Sequence, residues 1–317
     1  MLRIVLTFFF VSTMSSVSLA EQPRVWLDTE LGPIFVELDE ERAPVTVQNF
    51  LDYVNAGFYD GIVFHRVAKD FVIQAGGFDA ELHFVEPLFD DIVNEGDNGL
   101  LNRYGKIAMA RMSDPDTANS QFYINTGTNA NLDGDYAVFG EVVIGLGTVD
   151  RINNLRAVTK LGLQQAPVRP PLIRRAVQTD GFPVMPLHTG SWFEVGRSGV
   201  GFNIEVTNDA STEDGPLMVV YWYDFSGGQP MWLTGVTGFD YGASEVTMEL
   251  IHVAGPNEQA DFQSPPPREA FESWGELTIS FDDCSTGRFH YDSPEHGSGE
   301  ITATRLTLPD GASCQDW

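Results

Sequence analysis

Phe64-His65-Arg66-Val67-Ala68-Lys69-Asp70-Phe71-Val72-Ile73-Gln74-Ala75-Gly76-Gly77 is the stretch from which the rest of the chain can be read. Val63 to Val67 and Val72 to Gln74 have the composition of short strands. Upstream, Val25-Trp26-Leu27-Asp28-Thr29 and Ile34-Phe35-Val36-Glu37-Leu38 form a second strand pair, joined through Glu30-Leu31-Gly32-Pro33 in a hairpin. Between the pairs, Ala43 to Val54 predicts a helix. Pro44 suits its first turn, Val47, Phe50, Leu51 and Val54 share one face, and Gly57 supplies the stop. Downstream, Lys106 to Ala110, Phe122 to Asn125 and Val138 to Val143 read as strands, and Val149 to Leu155 as a second helix. Many strands with two helices predict a mainly β fold: a closed barrel with helices at its ends.

The chain has 317 residues, room for two domains. It carries 18 basic against 45 acidic side chains, a net charge of −27 that repels phosphate backbones and excludes nucleic acid as a natural partner. The charge is uneven. Residues 21–179 hold 23 acidic and 13 basic residues, whereas 180–317 hold 22 acidic and only 4 basic. That shift predicts two separately built modules, at 21–180 and 190–317, joined by a linker at 181–189. The seam falls where Thr179-Asp180-Gly181-Phe182-Pro183-Val184-Met185-Pro186 breaks regular structure. At the start, Met1-Leu2-Arg3, the apolar run Ile4 to Val11 and the small-residue end Ser18-Leu19-Ala20 match an export signal cleaved after Ala20. The run is too short to span a bilayer, so a periplasmic or secreted protein is expected. In that setting the two cysteines, Cys284 and Cys314, predict a disulfide rather than a metal site; two unpaired buried thiols are the other reading. The bridge would close a loop of about 30 residues, worth roughly 3–4 kcal/mol on the chain-entropy model.

The second module reads as all-β, a sandwich or a barrel. Strand composition recurs at 202–206, 218–222, 231–233, 246–250, 277–281 and 301–308, separated by Gly-, Asp-, Asn- and Ser-rich turns. Trp192, Trp222, Tyr223 and Trp232 are core candidates, with a peptide or sugar platform as the alternative. Asp282-Asp283 and Asp133-Gly134-Asp135 lack the alternating loop that calcium sites need and read as solvated turns. No activity can be assigned to this module.

Three ordered blocks in the first module carry chemistry. Phe64 to Gly77 resembles the first signature of the cyclophilin-type peptidyl-prolyl isomerases. Ile107-Ala108-Met109-Ala110-Arg111 followed by Ser120-Gln121-Phe122-Tyr123-Ile124-Asn125 resembles the second. Leu132-Asp133-Gly134 and Tyr136-Ala137-Val138-Phe139-Gly140 continue it in order, over about residues 24–178. Ala110 to Thr117 looks like the exported bacterial branch. The resemblance implies a cyclophilin barrel that rotates X–Pro bonds in unfolded or flexible proline-containing polypeptides. It implies Arg66 as the catalytic arginine, with His65 and Gln74 beside it. Phe71, Val72, Tyr123 and Leu132 would grip the proline ring, and Ala110, Arg111, Gln121, Asn131 and Tyr136 would complete the peptide site. His65 either acts chemically or shapes the pocket by hydrogen bonding.

The chemistry is consistent with those residue types. Rotation about X–Pro meets a barrier of about 18–20 kcal/mol because resonance is lost at the perpendicular geometry. The nitrogen then regains a localised lone pair, which a fixed guanidinium stabilises more than it does the planar ground state. No nucleophile, metal or cofactor is required. Four positions depart from common family residues: Val72 replaces Met, Tyr123 replaces Phe, Asn131 replaces Trp and Tyr136 replaces His. Together they argue against tight cyclosporin binding, and the Tyr123 hydroxyl needs a partner if buried. The alternative from another class is a non-catalytic proline-peptide scaffold or chaperone, targeted by the C-terminal β module.

Overall fold

The computed structural model describes residues 22–207, 215–253 and 271–307. The export signal and Cys314 lie outside them. Among the described residues no helix is long and apolar enough to cross a membrane.

The first unit contains β1 (Arg24–Thr29), β2 (Gly32–Leu38), β3 (Arg66–Ala68), β4 (Val72–Ala75), β5 (Lys106–Met109), β6 (Phe122–Asn125), β7 (Val138–Ile144), β8 (Ala157–Lys160), β9 (Leu163–Pro167) and β10 (Ile173–Thr179). Eight of these form one antiparallel sheet in the order β10-β1-β2-β7-β5-β6-β4-β3. The sheet curls until its edges meet: Phe64 N–H donates to the Pro171 carbonyl at 3.0 Å, and Ile173 N–H to the Ile62 carbonyl at 2.8 Å. Those bonds, at the entries to β3 and β10, close the barrel and satisfy edges that would otherwise be open for pairing.

Two helices bury their apolar faces in the same core as the barrel. In α1 (Pro44–Asn55) these are Val47, Phe50, Leu51 and Val54. Ala43 cannot cap the helix with its side chain, so the Glu95 carboxylate, from a distant loop, accepts from the N–H groups of Val45 (3.1 Å) and Thr46 (2.8 Å). The second helix, α2 (Leu146–Asn153), starts three residues earlier than the sequence predicts. Gly145, at φ +94, allows the chain to turn into it there, and Leu155 still packs against the core after the helix ends. The β8–β9 hairpin and β10 have no expectation from sequence.

The second unit is a closed barrel rather than a sandwich: β11 (Gly190–Glu194), β12 (Gly201–Thr207), β13 (Leu217–Ser226), β14 (Gln229–Gly238), β15 (Glu245–Val253), β16 (Phe271–Phe281), β17 (Thr286–Ser293) and β18 (Gly297–Arg305), each paired with the next. It closes where Trp192 pairs with Arg305 and Phe193 with Thr304. Alternation points Met218, Val220 and Trp222 of β13 into the lumen, with Trp192, Phe202 and Phe289. The four aromatics considered as a platform are therefore divided. Trp192 and Trp222 are core, whereas Tyr223 and Trp232 are exposed cross-strand partners on the outer face.

The segment between the two barrels is packed. Phe182 stacks on Phe35 of β2 at 5.8 Å, Met185 and Leu187 bury against Trp26 and Phe35, and the Arg175 guanidinium lies 3.2 Å over the Tyr241 ring.

Candidate active site

Strand alternation makes the site. Along β3, β4, β5 and β6, Val67, Ile73, Ile107, Phe122 and Ile124 enter the barrel core. The residues between them face outward, and the register sets Arg66 opposite Gln74, Gln74 opposite Tyr123, and Tyr123 opposite Ala108. One row thus crosses four strands on the outer wall. Next to it lies a second apolar cluster of Ala68, Val72, Ala108, Tyr123 and Val138, flanked by half-buried Phe71, Ala110, Leu132 and Tyr136. The first block folds back at Asp70, whose φ of +58 lets so short a hairpin close.

Arg66 is half-buried on the polar side of this cup. Its Nη1 donates to Gln74 Oε1 at 3.3 Å, and Gln74 Nε2 donates to Gln121 Oε1 at 2.9 Å. Its Nε donates to Gln165 Oε1 at 3.1 Å. Burial pulls the guanidinium below its ordinary pKa, yet arginine stays charged at any working pH. The result is a fixed cation whose polar neighbours are neutral amides.

The opposite wall is built from the short helical turn Ala130–Leu132 and from Tyr136. Asn129 anchors that turn by donating to the Phe71 carbonyl (2.8 Å) and to Asn125 Oδ1 (2.7 Å). Arg111 lies 4.4 Å over the Tyr136 ring and donates to the Asp135 carbonyl at 3.1 and 3.0 Å, so it braces the wall. Ala110 is tied to Gln121 through its backbone N–H, at 2.9 Å. Asn131 is exposed on the turn. The Tyr123 hydroxyl, buried with its pKa raised by desolvation, donates to Asn102 Oδ1 at 2.8 Å.

His65 is buried rather than presented on the cup. It is 4% exposed, packs against Phe78 at 4.5 Å, and has its pKa lowered to about 4, first by burial and then by the Arg66 charge. It is a buried, uncharged ring at neutral pH.

The structure therefore joins Arg66, Gln74 and Gln121 by hydrogen bonds and Phe71, Val72, Ala110, Tyr123, Leu132 and Tyr136 by apolar contact. Cys284 lies in the other barrel. Two contributors escape a reading of the sequence: Asn102, 21 residues from its partner, and Gln165, 99 residues from Arg66. Neither sits in a recognisable block. Among the described residues no group of three or more His, Cys, Asp or Glu side chains is placed to hold a metal ion.

A barrel carrying an apolar cup and a braced arginine on its outer wall defines a class of peptide-binding isomerase sites, and comparison with known proteins gives the class its name. Residues 24–178 match the family model for cyclophilin type peptidyl-prolyl cis-trans isomerases. The chain is 44% identical over 157 residues to peptidyl-prolyl cis-trans isomerase A of Dickeya dadantii, covering 48% of this chain and 82% of that protein. It is 44% identical over 160 residues to the isomerase cyp18 of Streptomyces antibioticus (48% and 96%), and 40% identical over 149 residues to peptidyl-prolyl cis-trans isomerase B of Escherichia coli (44% and 90%). The chain belongs to the cyclophilin-type peptidyl-prolyl cis-trans isomerase family. The matched residues end before the second barrel begins.

Proposed function

We propose that this enzyme isomerises X–Pro bonds in exported polypeptides, with Arg66 as its catalytic residue. The observation that carries the assignment is the bracing of the Arg66 guanidinium beside an apolar cup. The cup formed by Phe71, Val72, Leu132 and Tyr123 takes the proline ring. Gln121 and the backbone at Ala110 and Arg111 hold the flanking peptide, with Asn131 and Tyr136 at the rim. As the amide twists, charge leaves the carbonyl oxygen and collects on the proline nitrogen, and the guanidinium donates to that nitrogen. Gln74 keeps the guanidinium in place and is itself kept by Gln121. His65, buried against Phe78 and uncharged at neutral pH, moves no proton.

Export rests on the charged, apolar and small-residue pattern of residues 1–20, with the mature chain beginning at Glu21 in the periplasm or outside the cell. A Cys284–Cys314 disulfide belongs to the same reading. Its support is that Arg305 donates to the Cys284 carbonyl at 3.2 Å, so the chain leaving β18 starts beside Cys284. The two barrels act as an isomerase domain over residues 21–180 and an acidic domain over 190–317.

A protease-coupled assay on an Ala-Pro-containing peptide tests the assignment. Arg66→Ala is expected to lose about 10²–10³ in kcat, the worth of one transition-state donor, with far-UV and near-UV circular dichroism unchanged. Arg66→Lys recovers part of the loss, because a single ammonium cannot reproduce the fork. Wild-type turnover in Arg66→Ala refutes the assignment.

A further inference from the structure

The β8–β9 hairpin lies outside every block that carries the family resemblance, yet it reaches the active site. It turns at Leu161 and Gly162, both left-handed (φ +50 and +85), and Lys160 pairs with Leu163. Val158, however, pairs with Ala166. One residue of β8, Thr159, therefore stands against two of β9, Gln164 and Gln165. This is a β-bulge, a device that bends a strand and redirects a side chain. The bulged Gln165 has φ +58, a left-handed conformation that strains a non-glycine residue. Glycine would adopt it freely. The glutamine that stands there delivers its side-chain oxygen to Arg66 Nε at 3.1 Å.

We infer that Gln165 is a positioning residue for the isomerase reaction, held in a strained bulge so that its amide oxygen orients the Arg66 guanidinium. The inference rests on Arg66 being the catalytic residue. Gln74 alone, on Nη1, leaves the guanidinium plane free to swing about that bond. A second acceptor on Nε, from a different strand, fixes the plane by two edges. Three N–H donors of Arg66, two on Nη2 and one on Nη1, then remain for the substrate. The amide has a further advantage over a carboxylate: it accepts the same hydrogen bond without cancelling the positive charge that the twisted amide needs.

Three variants test this in the full-length chain, each read for kcat, KM and melting temperature on a short prolyl peptide. Gln165→Gly removes the acceptor and the backbone strain together, so kcat is expected to fall five- to tenfold while the melting temperature holds or rises. Gln165→Asn tolerates the left-handed backbone but falls one methylene short, and gives the same fall in kcat. Gln165→Glu keeps the acceptor and adds a charge, and lowers kcat by a similar factor. In all three KM changes less than twofold, because the cup is untouched; a merely structural role would instead lower stability and leave the split between kcat and KM unmoved. Adding Gln165→Gly to Arg66→Ala costs nothing further. Wild-type kcat in Gln165→Gly and Gln165→Asn, beside a crippled Arg66→Ala, overturns the inference alone. Full turnover in Arg66→Ala overturns it together with the catalytic assignment.

Discussion

Acid should destabilise the first barrel through His65 before it affects the chemistry. The imidazole is buried against Phe78, with its folded-state pKa lowered to about 4 from 6.5 by burial first and the Arg66 charge second. The folded state thus binds its proton more weakly than the unfolded chain. Stability from this group is complete above pH 6.5 and is lost as pH falls through the window from 6.5 to 4. Linkage gives a loss of about 2 kcal/mol at pH 5 and about 3 kcal/mol at pH 4. Against a total stability of about 5–15 kcal/mol, that is a large share. The buried His188 of the inter-barrel segment has its pKa lowered in the same direction, so wild-type acid sensitivity alone does not isolate His65. The difference between wild type and His65→Gln does. Urea unfolding of both proteins at pH 7.5, 6, 5 and 4 should show His65→Gln less stable by some constant amount at pH 7.5, with the gap closing or reversing toward pH 4. A gap that stays constant across the range refutes the buried, uncharged histidine. Because the ring is neutral throughout, wild-type kcat should be flat between pH 6 and 8, and an inflection near 6.5 that disappears in His65→Gln would restore a chemical role for it.

Two further outcomes follow from the relation between the barrels. If Cys284 and Cys314 are bridged, native unreduced protein has no alkylatable thiol, and reduction lowers the melting transition of the second barrel while leaving kcat on a short peptide unchanged; mass spectrometry after iodoacetamide and calorimetry read both. A chain ending at residue 180 keeps that same kcat, since every residue of the cup and the arginine row precedes the cut, but it uncovers Trp26 and Phe35, so its melting temperature falls and it binds an apolar dye that the full-length chain does not.

Much of this protein can be read from local sequence because alternation is local physics. Once 64–77 is taken as a hairpin, Val67 and Ile73 must enter the core, and Arg66 and Gln74 must face away from it together. The helix at 44–55 is equally legible, its apolar face being spaced at 47, 50, 51 and 54. What tertiary structure alone decided depends on contacts between residues far apart in the chain. The polar β9 offers no apolar alternation, and its hairpin holds by packing on β3. Leu146 begins α2 because Gly145 is left-handed there, which composition does not specify. The second module was open between sandwich and barrel until β18 met β11, more than a hundred residues away. His65 carries no sign in the sequence that burial will keep it uncharged. Gln165, 99 residues from the arginine it holds, becomes functional only through a bulge whose backbone no residue pattern announces. Periodicity determines which side a residue faces; only closure of the fold determines what it finds there.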